Sequence, residues 1–328
     1  MGGSFVGLAD DPNALFYNPA GLGQVTSLSL MGLSTKKMVD TDISSFVTAW
    51  PYTEWGTFSL GTSSLAVPSI PLAAYNSDTN QIYEAGQGSY EERVWIAGWG
   101  KEIVPKLFLG LDLKTYHFGF NADVAGYSNY TADGYDLDAG LLWHAQRDIK
   151  LGLVWRNMAS SLWSGGGMQW STGAHEPFDG GPVVGLNYSF GFLWPKASPL
   201  NFNMDYEFSK IKPLRVHTGL EYWLGDFIAL RAGFITGKNP KQQALFYDHM
   251  YGVGLKLFNI SVDYAYYPNF GEEVDPKHFL SLSSTFDLNY QQKHTEHVEQ
   301  KQNDNSDIDY LEKVIDMEKS EDYGPFLQ

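Results

Sequence analysis

Along much of the chain apolar and polar residues alternate with a period of two, the signature of a strand whose two faces meet different surroundings. Leu107, Leu109, Leu111 and Leu113 share one face, and Phe108, Gly110, Asp112 and Lys114 the other. Phe202, Met204, Tyr206 and Phe208 oppose Asn201, Asn203, Asp205 and Glu207 in the same way. Leu214, Val216, Thr218, Leu220 and Tyr222 oppose Arg215, His217, Gly219 and Glu221, and Ile260, Val262, Tyr264 and Tyr266 oppose Ser261, Asp263 and Ala265. One face is oily and the other carries charges of both signs.

Segments of this kind are predicted over 26–37, 42–52, 56–66, 89–103, 107–121, 133–145, 149–159, 182–193, 200–209, 214–224, 227–237, 249–258, 260–269 and 277–288. That is about fourteen, an even number, mostly about 10 to 12 residues each, long enough to cross a bilayer when tilted. The links between them alternate. Tight ones fall at Tyr52 to Trp55, Val104 to Lys106, Gln146 to Asp148, Gly225 to Asp226 and Phe258 to Asn259, with Trp194 to Pro199 slightly longer. Long ones fall at Val67 to Gly88, Ala122 to Ala132, Ser160 to Gly181, Lys238 to Asp248 and Phe270 to Pro276, and the short Lys210 to Pro213 is the exception. Short periplasmic turns and long extracellular loops are the habit of bacterial outer-membrane barrels, and they put both chain ends on the periplasmic side.

Composition sharpens the choice between this barrel and a soluble sandwich. Aromatic residues make up 15% of the chain and charged residues only 18%, whereas a sandwich presents a charged exterior. Few charges and many rings fit lipid outside and a polar lumen inside. No run approaches the roughly 18 to 20 apolar residues of a spanning helix. The formal charge of -16 argues against nucleic acid as a partner. With no cysteine, thiolate metal sites, cysteine catalysis and disulfides are excluded. Met1-Gly2-Gly3-Ser4 does not read as a signal peptide, which an exported barrel needs at its precursor stage.

Residues 1–24 break the alternation. Asp11-Pro12 reads as a helix cap with proline in the first turn, Asn13 to Tyr17 as a short helix, and Asn18-Pro19-Ala20-Gly21-Leu22 as its end. A lumen ringed by about fourteen strands is too wide for side chains alone to fill, and this segment is placed to plug it. The stretch from Gly2 to Leu22, GGSFVGLADDPNALFYNPAGL, resembles the opening of the FadL-type outer-membrane barrels. That superfamily includes fatty-acid and hydrocarbon transporters as well as PorV/PorQ-like proteins of secretion systems. The resemblance implies a fourteen-stranded transmembrane antiparallel β-barrel, an N-terminal hatch in which Asn18, Pro19 and Ala20 are hatch residues, and passage of hydrophobic molecules across the outer membrane. The motif is shared by transporters and secretion-associated barrels, so it does not choose between them.

The expected organisation is a hatch over 1–24, a barrel over 25–288 and an acidic periplasmic tail over 289–328 with a possible short helix. Asp112, Lys114, Asp136, Asp138, His144, Arg156, Asp205, Glu207, Arg215, His217, Glu221, Arg231, Lys256 and Asp263 are expected to face inward as a network holding the plug. Two long links are unusually apolar, with Leu65, Val67, Ile70 and Leu72 in one and Leu162, Trp163, Met168 and Trp170 in the other. Such clusters mark either a groove for a hydrophobic ligand or loops packed into a lid. Trp50, Trp55, Trp95, Trp99, Trp143, Trp155, Trp194, Trp223, Tyr222 and Tyr264 are assigned to interfacial girdles.

Signals for an enzyme are poor. His294 and His297 lack a third metal ligand, and Gly165-Gly166-Gly167 lacks the lysine and the strand-to-helix setting of a phosphate loop. No cofactor is expected. Membrane lipid and hydrophobic small molecules are the expected partners, together with a possible periplasmic protein at the tail. Two functions stay open: passive uptake of hydrophobic compounds such as long-chain fatty acids, and a secretion-associated barrel that anchors or shuttles proteins.

Overall fold

A computed structural model describes residues 1–36, 41–52, 54–124, 127–190, 200–209, 214–238, 245–268 and 277–286. Sixteen strands follow in chain order: β1 (Leu28–Lys36), β2 (Asp42–Tyr52), β3 (Gly56–Asn76), β4 (Gln81–Val104), β5 (Leu107–Ala122), β6 (Tyr130–Gln146), β7 (Ile149–Arg156), β8 (Gly167–Trp170), β9 (His175–Glu176), β10 (Gly181–Ser189), β11 (Leu200–Glu207), β12 (Arg215–Leu224), β13 (Ile228–Lys238), β14 (Leu245–Leu257), β15 (Ile260–Tyr267) and β16 (Lys277–Phe286). All but the short β8 and β9 form a closed fourteen-stranded antiparallel barrel, because β16 pairs back onto β1 and β5 onto β6. Closure leaves no sheet edge along the wall, and that is what a sheet needs where there is no water to satisfy its backbone.

The alternation read from the sequence is realised with its oily face outward. Leu111, Leu113, Leu151, Leu153, Leu220 and Leu230 stay 39 to 50% exposed although they sit in the middle of strands. A continuous apolar belt of this size is unfavourable in water and suits lipid. The tight turns take the strained backbone. Lys106 and Phe258 have φ of 71° and 54°, and the Phe258 ring, 96% exposed, stands at the rim where aromatic residues favour the membrane interface.

Three differences from the sequence expectations have physical causes. The stretch from Val67 to Gly88 is a β-hairpin rather than a loop. Strands β3 and β4 run on to Asn76 and Gln81, with register irregularities between Val67 and Ile70 and between Leu72 and Ala73. Pro68 lies in the first irregularity, where a missing N–H costs no ladder bond. The link from Ser160 to Gly181 is ordered into helix α2 (Met158–Trp163) and the β8–β9 hairpin, and β8 pairs with Ala132 to Tyr135 of β6. Trp223 belongs to no girdle: it lines the lumen with the Arg231 guanidinium 5.7 Å from its ring centre. The links around Trp194, Lys210 and Phe270 and the tail with His294 and His297 lie outside the described residues.

Candidate functional site

The lumen is occupied by residues 1–25. Helix α1 (Ala14–Tyr17) is one residue shorter than predicted at its start: the Asp11 carboxylate accepts from the Asn13 N–H at 2.7 Å, and Asn13 takes the cap position. Asn18 is extended (φ -151°, ψ 101°), which breaks the helix before a 3-10 turn over Pro19–Gln24 begins with proline in its first turn. Phe5, Leu8, Leu15, Leu22 and Val25 pack with Val47, Ala49 and Ile96 of the wall. A fully buried leucine such as Leu15 or Leu22 contributes about 1.5 to 3 kcal/mol.

Polar wall residues hold the backbone of this plug. Asp205 accepts from the Phe5 and Val6 N–H groups at 2.7 and 2.9 Å. The His217 ring lies 2.8 Å from the Gly2 carbonyl, and Gln24 Oε1 meets His144 Nε2 at 2.9 Å and the Lys150 ammonium at 3.0 Å. Asn18 has no exposed surface. Its amide donates to the carbonyls of Val6 and of Leu141 on β6, and its Oδ1 accepts from the Ala20 N–H. Asn18, Pro19 and Ala20 therefore sit where the plug meets β4, β5 and β6.

The closest approach is made through inward glycines. A Cβ placed at Gly110 would lie 2.1 Å from the Pro19 carbonyl carbon and the Ala20 nitrogen, one at Gly140 2.1 Å from Asn18 Oδ1, and one at Gly152 2.1 Å from the Val6 oxygen. At Gly185, Gly219 and Gly233 it would fall 2.0 to 2.6 Å from backbone atoms of Gly7, Met1 and Gly2. These positions pair across the ladder, Gly110 with Gly140, Gly152 with Gly185 and Gly219 with Gly233, so each close approach spans two neighbouring strands, while β11 between the last two pairs carries no glycine. A missing side chain is what lets one backbone lie against another. The sequence reading named Gly110 and Gly219 as inward without giving them a task, and the recurrence of glycine on one face was the signal available.

Of the inward charges, Arg231 bridges Glu221 and Asp263, and Lys114 is bound to Asp138. Asp136 accepts from the Ala159 and Ser160 N–H groups and ties α2 to the wall. Asp112, opposite Asp138 in the ladder, is buried with neither carboxylate oxygen hydrogen-bonded. Enclosure by the barrel raises Asp10 to about 6 and, with the Asp10 charge adding to it, Asp11 to about 7, although the Asp10 side chain opens onto a lumen cavity.

Above the plug, away from the tight turns, the inner wall changes character. Leu65, Val67, Ile70 and Leu72 pair with Glu92, Tyr90, Gly88 and Gly86, and all four share the inward face of β3. Beside them on the neighbouring strands are Tyr90, Phe118 and Trp170, with ring centres 5.0 Å apart for Tyr90 and Phe118 and 4.8 Å for Phe118 and Trp170, while Tyr116 meets Phe178 at 4.3 Å. Met168 shares the inward face of β8 with Trp170. Leu162 and Trp163 on α2 remain 45 and 63% exposed. At this level the inward faces of β3, β4, β5 and β8 thus form an apolar and aromatic upper lumen wall. Six of the eight apolar residues singled out from the sequence line it, and Tyr90, Tyr116, Phe118 and Phe178 were missed.

Fold and lumen together define a plugged transmembrane β-barrel. No family model matches the sequence, and no curated protein matches it. Among solved structures, the toluene transporter TodX of Pseudomonas putida is similar with a TM-score of 0.58 and 13% identity, over 84% of this chain and 94% of that one. The CymD monoaromatic hydrocarbon channel is similar with a TM-score of 0.54 and 11% identity, over 85% and 94%. A Pseudomonas aeruginosa FadL homologue gives 0.51 and 12%, over 87% and 96%. At these identities the likeness is one of fold, and the fold is that of the FadL-type barrels.

Proposed function

We propose that the protein is an outer-membrane channel for the passive uptake of hydrophobic compounds, the class that includes long-chain fatty acids. The observation that carries this reading is the division of the lumen into an aromatic upper wall and a backbone-sealed plug. Leu65, Val67, Ile70 and Leu72 with Met168 and Trp170 give a hydrophobic molecule a surface to leave water for, and Leu162 and Trp163 offer it a first contact. Residues 1–24 then act as a hatch whose seat at Asn18, Pro19 and Ala20 decides what else can pass. The fold shared with TodX and CymD, which are described as a toluene transporter and a monoaromatic hydrocarbon channel, supports the same reading. In this orientation the tight turns face the periplasm.

The test is uptake of a labelled long-chain fatty acid and a labelled neutral hydrocarbon by cells carrying the full chain. It is compared with an Asn18→Ala, Pro19→Ala double variant and with a chain ending at Leu288. Uptake of a hydrophobic compound by the full chain, kept without the tail and joined by entry of small hydrophilic antibiotics when the hatch seat is altered, is the expected result. Uptake of neither compound, with a periplasmic protein retained only when the tail is present, would replace the channel with the secretion-associated alternative.

A further inference from the structure

The plug's hydrogen bonds to the wall are concentrated on one side, with Met31 of β1 packed against it on the other. Its hydrogen bonds to Asp205, His217, His144 and Leu141 and its glycine contacts all lie on β3 to β13. Toward β14, β15, β16 and β1, the described residues make one hydrogen bond to it, from the Asn13 amide to the Met31 sulfur. Between the plug and that sector runs a cavity of about 630 Å³. It extends from the level of Leu33 and Ser281 in mid-barrel to Thr26, Thr285, Trp223 and Lys256 at the tight-turn rim. The wall presents Ser29, Ser261, Ser281 and Ser283, and the plug presents Phe5, Leu8 and Val25. Serines thus recur on the wall beside Met31 and Leu33, and the plug flank mixes its apolar residues with Asp10, Asp11, Asn13 and Gln24.

Four acids, Asp10, Asp11, Glu221 and Asp263, border this cavity against two bases, Arg231 and Lys256. Glu221 and Asp263 share Arg231 between them and Lys256 offsets only part of the remainder, so an anion entering here meets a net negative field.

Resting on the channel reading, we infer that solute passes a plug that stays in place, along the serine-lined sector between it and β15, β16 and β1. We infer further that this passage takes uncharged apolar molecules in preference to carboxylates.

Two probes separate these statements: a labelled long-chain alcohol and the fatty acid of the same length, which differ only in the charged head. Uptake is measured in cells with an intact outer membrane, with heat-modifiable migration confirming that each variant is folded. The chain has no cysteine, so Val6→Cys with Val154→Cys, two residues that pack together, permits a disulfide lock of plug to wall. The locked form is expected to take up the alcohol at the unlocked rate. Ser281→Trp and, independently, Ser283→Trp are expected to abolish uptake, while the lipid-facing Leu282→Trp leaves it unchanged. The alcohol is expected to enter about tenfold faster than the acid, the scale of one unit-charge repulsion across roughly 12 Å at an effective dielectric of about 20. Asp10→Asn with Asp11→Asn is expected to narrow that gap. A locked barrel that stops transporting, or tryptophans without effect, overturns the route; equal rates for acid and alcohol overturn the preference. Uptake of neither probe by the folded wild type overturns the channel reading, and this inference falls with it.

Discussion

The two sectors of the wall around the plug are built from the same kind of strand and differ in one inward choice. On β4, β5, β6, β7, β10, β12 and β13 the inner face carries glycine, and a foreign backbone lies directly on the sheet. On β15, β16 and β1 it carries Ser261, Ser281, Ser283 and Ser29, and a cavity separates this wall from the plug. A methylene and a hydroxyl per strand thus separate a seat from a passage. The outward faces of both sectors carry exposed apolar residues, Leu111, Leu153 and Leu220 in one and Val262, Leu280 and Leu282 in the other, so the outward pattern does not mark the difference.

The comparison is broken most severely by filling the seat. Gly110→Val or Gly152→Val sets new carbons against plug backbone that cannot move as a side chain does. The expected cost is about 3 kcal/mol or more, read as a lower unfolding temperature and as leakage of small hydrophilic antibiotics. Ser283→Val, a similar change in the other sector, should alter stability by less than about 0.5 kcal/mol.

Removing an anchor is the next step down. Asp205→Ala leaves the Phe5 and Val6 N–H groups without their acceptor, and about 2 to 4 kcal/mol of stability should be lost in denaturant titrations. Asp112→Asn tests the opposite case. Its carboxylate is buried without a hydrogen bond and faces Asp138, so neutralising it should leave stability unchanged or raise it by about 1 kcal/mol. A loss comparable with that of Asp205→Ala would show that Asp112 has a partner.

The smallest effect expected is that of pH on the plug, because Asp10 and Asp11 border an open cavity whose solvent screens their charges. The folded values of Asp10 and Asp11, about 6 and 7, exceed the ordinary 3.8, so the folded state holds protons that the unfolded chain releases. Their contribution is therefore fully present near pH 4 and is lost as pH rises through 7. Lys150 and Arg231 oppose the shift at Asp10, while Glu221 adds to it, and Asp263 adds to that at Asp11. Unfolding temperature should fall between pH 5 and pH 8 in the wild type and change less in Asp11→Asn.

Much of this was legible beforehand because the barrel imposes period two on every spanning strand. Strands such as 42–52 and 107–121 were located to within a residue by alternation and turn residues. The extension of β3 and β4 is hidden because proline reads as a loop residue, whereas Pro68 lies in a register shift and Pro71 on a stretch of β3 beyond its pairing with β2. Leu65, Val67, Ile70 and Leu72 were picked for being apolar and turned out to share one face only once that shift was known. The glycine seat was missed because a glycine carries no hydropathy, and its meaning lies in what approaches it. Tyr90, Phe118 and Trp170 come from three strands, and no local pattern announces their meeting.

The glycine seat also makes the plug a separable part. It is a groove cut to the outline of one peptide, held open by a wall whose ladder closes without the peptide's help. A barrel lacking residues 1–24 should then behave as an electrical pore, and the missing peptide, supplied as a free molecule, should act as its stopper and return the current to a low level.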